Sequence, residues 1–488
     1  MPSTRTCSFA NSTKLQKECY HLAQHASELV VHDFGRLDTA RGRYGWKAFP
    51  RSSWPSPHPL DAAFAQMRLY VYPLPAAYNH GVMRALVSLM AVEWPDYNAS
   101  FCLLQRCACG AAKTRLQLRQ ITSEVPILLR LLQTATLVDD VRQADGFVVP
   151  FLVASWQRHA AIRRRPYVLR SLMTNLSKYL VHLNRDTAAR HIFFASQDSC
   201  FNPFGAHVPH AERAIVLNLG PGHWNTSRVR TSVFKRRARF SRTITIPHRS
   251  ELPDVEKGLF SSWERPRPIL LFGAMNGQRN PARLELMRAI QRHSALAPGR
   301  IRVGELSELS PNGTFGGLAR LTRRSVFCLA IAGDAPSFTQ RFYFSVVRGC
   351  IPIYLGPMGG YAFLGGEPTP EEPDFPFGHL IDWRRIVVVL NKTEGAIRSS
   401  SEPSYEALVA RLLKLEPQAA AVRRYMRRVA HWLMFDAHAA DGTLHRQDAA
   451  SAALYSIGAK LRLAGLERAA EAMRRSALEG ISDSATMS

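Results

Sequence analysis

The run from Ser325 to Pro357, SVFCLAIAGDAPSFTQRFYFSVVRGCIPIYLGP, leaves fewer folds open than any other stretch of this 488-residue chain. Val326 to Ile331 is nearly continuous apolar sequence ending at Gly333-Asp334, the pattern of a strand buried on both faces. Ser337 and Gln340 stand in the S-x-x-Q order of a capping box just after Pro336, and Phe342, Ser345, Val346 and Gly349 follow at helical spacing. A helix is expected to start near Ser337. Gly349 suits a left-handed C-cap, and Cys350 to Leu355 reads as a second buried strand. Two strands joined by one helix lie parallel with a right-handed crossover, which puts the AGDAPS loop at the carboxyl edge of a sheet, against a helix N-terminus. Free N–H groups and the helix dipole suit an anion there, typically a phosphate, and Arg341 in the first turns adds charge. A structural crossover that binds nothing carries the same pattern.

The length exceeds what one core supports and suggests roughly two to four domains. Residues 1–66 are polar and then proline-rich, with Pro50, Pro55, Pro57 and Pro59 close together; they read as a stem or linker with a short helix around 13–30. A first domain over 67–255 opens with the strand MRLYVYP. It continues with a helical run at 121–137, the strand DGFVVPF at 145–151, an amphipathic helix at 167–184, the strand RHIFFA at 190–195, and short β runs at 214–219 and 243–247. A second domain over 266–435 has a strand at 269–272, a Gly-rich loop, a helix with Arg283 early in it, and a weaker strand at 301–303. The opening unit follows, then a strand at 386–390 and helices at 405–415 and 419–435. Residues 436–488 are expected to hold C-terminal helices and a frayed tail from 481. Strands alternating with helices make this an α/β chain with parallel sheets covered on both faces.

Lys and Arg number 63 against 38 Asp and Glu, a net charge of +25 that favours acidic partners: anionic polysaccharide, nucleic acid or anionic membrane. No basic stripe interleaved with aromatics, zinc finger or helix-turn-helix signal is present, so nucleic acid is not the expected partner. Six N-x-S/T sequons, at Asn11, Asn98, Asn175, Asn225, Asn312 and Asn391, take half of the twelve asparagines and point to a lumenal or extracellular setting. Eight cysteines suit disulfides there, and Cys102 and Cys107 would close a short loop. A zinc site is the weaker reading of Cys102, Cys107 and Cys109, because only Cys200 remains as an obvious fourth thiol. No apolar stretch reaches the eighteen or so residues of a membrane span and 1–20 has no signal-peptide core, so a membrane anchor is expected outside this sequence.

Six pieces in order, RLYVYPLPAAYN, ADGFVVPF, RHIFFASQD, TITIPH, ILLFGAMNGQRNPARLELM and FCLAIAGDAPSFTQRFYFSVVRGCIPIY, resemble the exostosin-like glycosyltransferases. That family holds heparan-sulfate polymerases and many plant and algal wall-polysaccharide transferases. The resemblance spans residues 67–435 and is most specific in the last piece. It implies two facing Rossmann-like domains (the GT-B architecture), with a glycan or glycoprotein acceptor held mainly by the first and a nucleoside-diphosphate sugar by the second. It further implies inversion at the anomeric carbon with no obligatory metal or other cofactor, a Golgi-lumenal enzyme on a membrane anchor, a homo- or hetero-oligomer, and a disulfide between Cys328 and Cys350.

Inverting transfer needs a carboxylate or imidazole to take the acceptor proton and positive groups to stabilise the departing diphosphate. Asp198, just past the RHIFFAS strand, and His248, after TITIP, are the candidate bases; turn-forming or capping roles compete for both. The candidate donor-binding set is Arg279, Arg283, Gly333, Asp334, Ser337, Thr339, Gln340 and Arg341, with Asp334 also suited to shaping its turn. Family members commonly carry an Asp or Glu shortly before the Gly-Cys pair, in the helix of this motif, where it can bind donor ribose. This chain has Phe344 there, which also suits a catalytically inactive, glycan-binding or partner-stabilising subunit of the same fold.

Overall fold

A computed structural model describes residues 64–75, 78–79, 123–156, 166–196, 204, 207–219, 242–248, 263–275, 281–309, 315–331, 340–355, 375–390, 405–435 and 448–479. The short helix expected at 13–30, Cys102 and Cys107, and the tail from 481 lie outside them.

Six strands form one parallel sheet: β1 (Arg68–Val71), β2 (Thr136–Leu137), β3 (Gly146–Val149), β4 (His191–Ala195), β5 (Ile215–Asn218) and β6 (Thr243–Thr245), in the order β2-β1-β3-β4-β5-β6. Five more form a second: β7 (Ile269–Met275), β8 (Ile301–Glu305), β9 (Ser325–Ile331), β10 (Ile351–Leu355) and β11 (Val388–Leu390), in the order β11-β10-β9-β7-β8, again all parallel. Numbered within its own sheet, each reads 2-1-3-4-5, and the first sheet adds one strand at its far edge. Both are therefore doubly wound, Rossmann-like sheets, with the strand order reversing between β1 and β3 and again between β7 and β9.

Helices α1 (Glu124–Thr134) and α2 (Pro166–Leu176) serve the first sheet, and α3 (Pro281–Arg292), α4 (Leu306–Leu309), α5 (Phe315–Arg323), α6 (Gln340–Val346), α7 (Tyr405–Leu415) and α8 (Ala419–Val429) the second. α9 (Ala449–Lys460) and α10 (Ala464–Leu478) follow. β3, β4 and β9 are buried at every position, which is why their sequences run apolar rather than alternating. The 121–137 run divides, because Thr136 and Leu137 leave the helix to pair with Arg68 and Leu69 at the sheet edge. The helix expected over 167–184 ends at Leu176, where successive three-residue turns take over and Val181 is left 73% exposed. α5 is hidden in the sequence by Gly316-Gly317, poor helix formers. It is held by packing Leu318 and Leu321 onto Phe272, Cys328 and Cys350.

The end of α6 fixes how β9 and β10 meet. Gly349 adopts φ 70°, the Cys350 N–H reaches Ser345 O at 3.0 Å and the Gly349 N–H reaches Val346 O at 3.0 Å, a Schellman motif. A Cβ at Gly349 would lie 2.7 Å from Arg267 Nη2, so glycine is required twice over. Buried Arg267 donates to Ser325 O (2.8 Å), Thr322 O (3.3 Å) and Arg348 O (3.0 Å), tying the last turns of α5 and α6 to the start of β9. Burial lowers its pKa to about 9, so it stays cationic at neutral pH among helix-end carbonyls. Cys328 and Cys350 are bonded across this joint, with Cα atoms 5.8 Å apart.

The last two helices cross back to the first sheet. α9 packs on α1 and β6, the Phe64 and Tyr455 rings stand 4.7 Å apart, and Arg130 Nη2 lies 3.4 Å from Asp448, whose carboxylate also caps α9 through the Ser451 N–H. Residues 448–479 thus brace the two halves.

Reducing the Cys328–Cys350 bond should cost about 2–4 kcal/mol of stability. Non-reducing peptide mapping should find the two joined, and urea unfolding with and without reductant measures the cost. His191, at the start of β4, is buried neutral: its Nδ1–H donates to Thr187 O (2.9 Å) and its Nε2 accepts from the Tyr72 hydroxyl (2.8 Å). Burial pushes its pKa down to about 4 from 6.5. The unfolded chain binds the proton first, so this contribution is present above pH 6.5 and lost as pH falls towards 4. His191→Gln should flatten the loss of urea midpoint over that window relative to the parent.

Candidate active site

Parallel strands end on one edge, and at that edge the two halves meet. α6 follows β9, so its first turn, with half-buried Gln340 and Arg341, sits beyond the carboxyl end of the second sheet. Phe342 anchors the helix to its own domain against Trp383 (5.2 Å between ring centroids) and Phe375 (5.7 Å). Tyr343 points the other way. Its hydroxyl donates to Ile246 O at 3.4 Å and its ring lies 5.7 Å from that of His248, both in the segment after β6. Phe344, 8% exposed, is covered by the Arg348 guanidinium, whose Cζ lies 3.6 Å from the ring centroid.

On the first sheet, the Ile246 N–H bonds to Asn218 O at 2.8 Å, which extends β6 into the Pro247-His248 segment. His248 is buried at 2% exposure. Beside it, Ser123 Oγ donates to Pro247 O at 2.9 Å. The next residue, Glu124, is fully buried at the N-terminus of α1. Its carboxylate accepts the Ala154 N–H (3.3 Å), the Ser155 N–H (3.0 Å) and the Ser155 hydroxyl (3.0 Å), all from the segment after β3, and also the Ser196 hydroxyl just after β4. Burial pushes its pKa up to about 7, against the downward pull of those donors.

Of the residues singled out from sequence, the structure brings Gln340, Arg341 and His248 to the seam between the two carboxyl edges. Arg283 falls in the first turn of α3, with its side chain outside the described set. Asp198, Arg279, Gly333, Asp334, Ser337 and Thr339 also lie outside it; the described segment after β4 stops at Ser196, two residues short of Asp198. Ser123, Glu124, Ser196 and Tyr343 are not singled out by the sequence. Ser-Glu opening an apolar helical run looks like ordinary capping, and only the tertiary structure shows that the carboxylate is buried. The seam thus sets the buried His248, with buried Glu124 behind it, on one side and the start of a helix with an arginine on the other. Among the described residues no three metal-binding side chains cluster, and no helix is long and apolar enough to cross a membrane.

The chain is similar to two curated plant proteins. Against a probable glucuronoxylan glucuronosyltransferase of Arabidopsis thaliana it is 22% identical over 342 residues, 66% of this chain and 60% of that protein. Against a probable glucuronosyltransferase of Oryza sativa subsp. japonica it is 23% identical over 338 residues, 67% of this chain and 68% of the other. The chain thus spans about 60% of the first relative's length. Residues 64–396 match the model of the Exostosin GT47 domain, a region that holds both sheets and the seam between them. With so much of its length matched, the chain belongs to the exostosin GT47 family.

Proposed function

We propose that the chain is an inverting glycosyltransferase that moves a hexosyl or pentosyl group from a nucleoside-diphosphate sugar to a glycan or glycoprotein acceptor. The observation that carries this reading is α6, which begins at the carboxyl edge of one doubly wound sheet and touches the carboxyl edge of the other through Tyr343. The diphosphate would meet the start of α6, with Arg341, and the sequence candidates Arg279 and Arg283, balancing its charge. The acceptor hydroxyl would attack the anomeric carbon from the first-domain side, giving its proton to Asp198 or His248 as the bond to the diphosphate breaks. The relatives' printed names make a uronic acid the first donor to try. The surplus of Lys and Arg suits an anionic polysaccharide as acceptor or product, and the sequons suit a Golgi-lumenal protein on an anchor.

Phe344 favours a second reading. Its ring, stacked under Arg348, presents no carboxylate to a ribose, as in a sugar-binding subunit without turnover.

The test is nucleoside-diphosphate binding by calorimetry in the parent and in Arg341 variants. A charge-assisted contact is worth about 1.5–3 kcal/mol, so Arg341→Ala should weaken binding by about ten- to a hundredfold. It should slow turnover by about 10²–10³-fold where charge builds on the leaving group. Arg341→Lys, which keeps the charge and loses the planar fork, should fall between parent and alanine. Arg341→Ala with an unchanged melting temperature and unchanged binding removes Arg341 from the site; a parent that binds no nucleoside diphosphate favours the subunit reading.

A further inference from the structure

The dipeptide Ser123-Glu124 touches the chain segments that follow three strands of the first sheet, β3, β4 and β6. Ser123 Oγ holds Pro247 O, one bond before His248. Glu124 gathers Ala154 and Ser155 from the segment after β3, and Ser196 from the segment after β4 that leads to Asp198. Both residues are 0% exposed, so neither touches substrate in this conformation. A helix start alone would need no such carboxylate: the donors it gathers belong to two other strands' loops, more than thirty residues away in the case of Ser155. A buried carboxylate is costly unless several donors converge on it, and here they do.

We propose that Ser123-Glu124 is the positioning element of the acceptor half of the reaction, holding from beneath the segments that follow β3 and β4 and the segment after β6 that carries the candidate base His248. This rests on the glycosyltransferase reading above. With the tie intact, Ala154-Ser155, Ser196 and the His248 segment keep a fixed spacing relative to one another and to Tyr343 of α6. With it broken, these segments shift relative to the acceptor while the donor side, built on α6 and β9, is left as it was. Gln in place of Glu124 keeps the shape but turns one acceptor oxygen into a donor facing N–H groups, so it cannot hold all four partners.

The experiment uses the full chain with Glu124→Gln and Ser123→Ala, the latter removing one hydrogen bond should the former fold poorly. Three readouts are compared: hydrogen exchange of the 146–156, 191–196 and 243–248 segments, nucleoside-diphosphate affinity, and the ratio of donor hydrolysis by water to transfer to acceptor. Misplacing reacting groups by about an ångström costs on the order of a hundredfold in rate. The expected result is faster exchange in the tied segments, affinity within about twofold of parent, and transfer reduced by about ten- to a hundredfold with hydrolysis reduced less. Ser123→Ala should free 243–248 alone. Unchanged exchange in those segments overturns the proposal whether or not the parent transfers sugar, and so do freed segments with transfer unchanged. A parent with no turnover of any nucleotide-sugar instead fails the glycosyltransferase reading, and exchange still decides whether the tie exists.

Discussion

Parallel pairing is the constraint on which everything else here rests. Because each strand must be reached by a crossover, every strand of a sheet ends on the same edge, and the loops after the strands gather there with their helix N-termini. The chain does this twice, with the same 2-1-3-4-5 order, and then lays one carboxyl edge against the other. Among the described residues, Tyr343 of α6 meets the Ile246–His248 segment across the seam. A second brace lies in α9, which returns from the second domain to pack on α1 and β6, with α10 packed on α9 and α8.

Two buried polar devices keep the edges in register. Arg267 holds the far end of the second sheet by bonding helix-end carbonyls. Glu124 holds the near end of the first by gathering loop donors. Each is a buried ionisable group surrounded by hydrogen-bond partners, and for each the loss of partners would leave a desolvated polar group, which is more destabilising than the net gain from making the contacts.

The β9-α6-β10 unit is legible in sequence because three independent signals agree on it: two apolar runs, the helical spacing between them, and a glycine at the end. The structure places strands, helix and the left-handed Gly349 where they are expected; the helix start expected near Ser337 lies outside the described residues. Edges are less legible. Thr136-Leu137 joins the sheet and leaves the helical run because an edge strand needs only two partners, Arg68 and Leu69, which no local pattern announces. The candidate site is legible where it depends on local chemistry, as at Arg341 and His248, and illegible where it depends on convergence. Nothing in Ser123-Glu124 shows that loops from β3, β4 and β6 will meet it. In sequence Phe344 is a missing carboxylate; the structure adds that Arg348 occupies its open face.

The most direct measurement is the linkage formed when the purified chain is given a panel of nucleotide-sugars, uronic acids first, with oligosaccharide acceptors. Nuclear magnetic resonance of the product then reads its anomeric configuration. The account predicts transfer from one donor with the configuration opposite to that in the donor. Transfer with the configuration retained would contradict direct displacement across the seam, and no transfer from any donor would contradict the assignment of a glycosyltransferase.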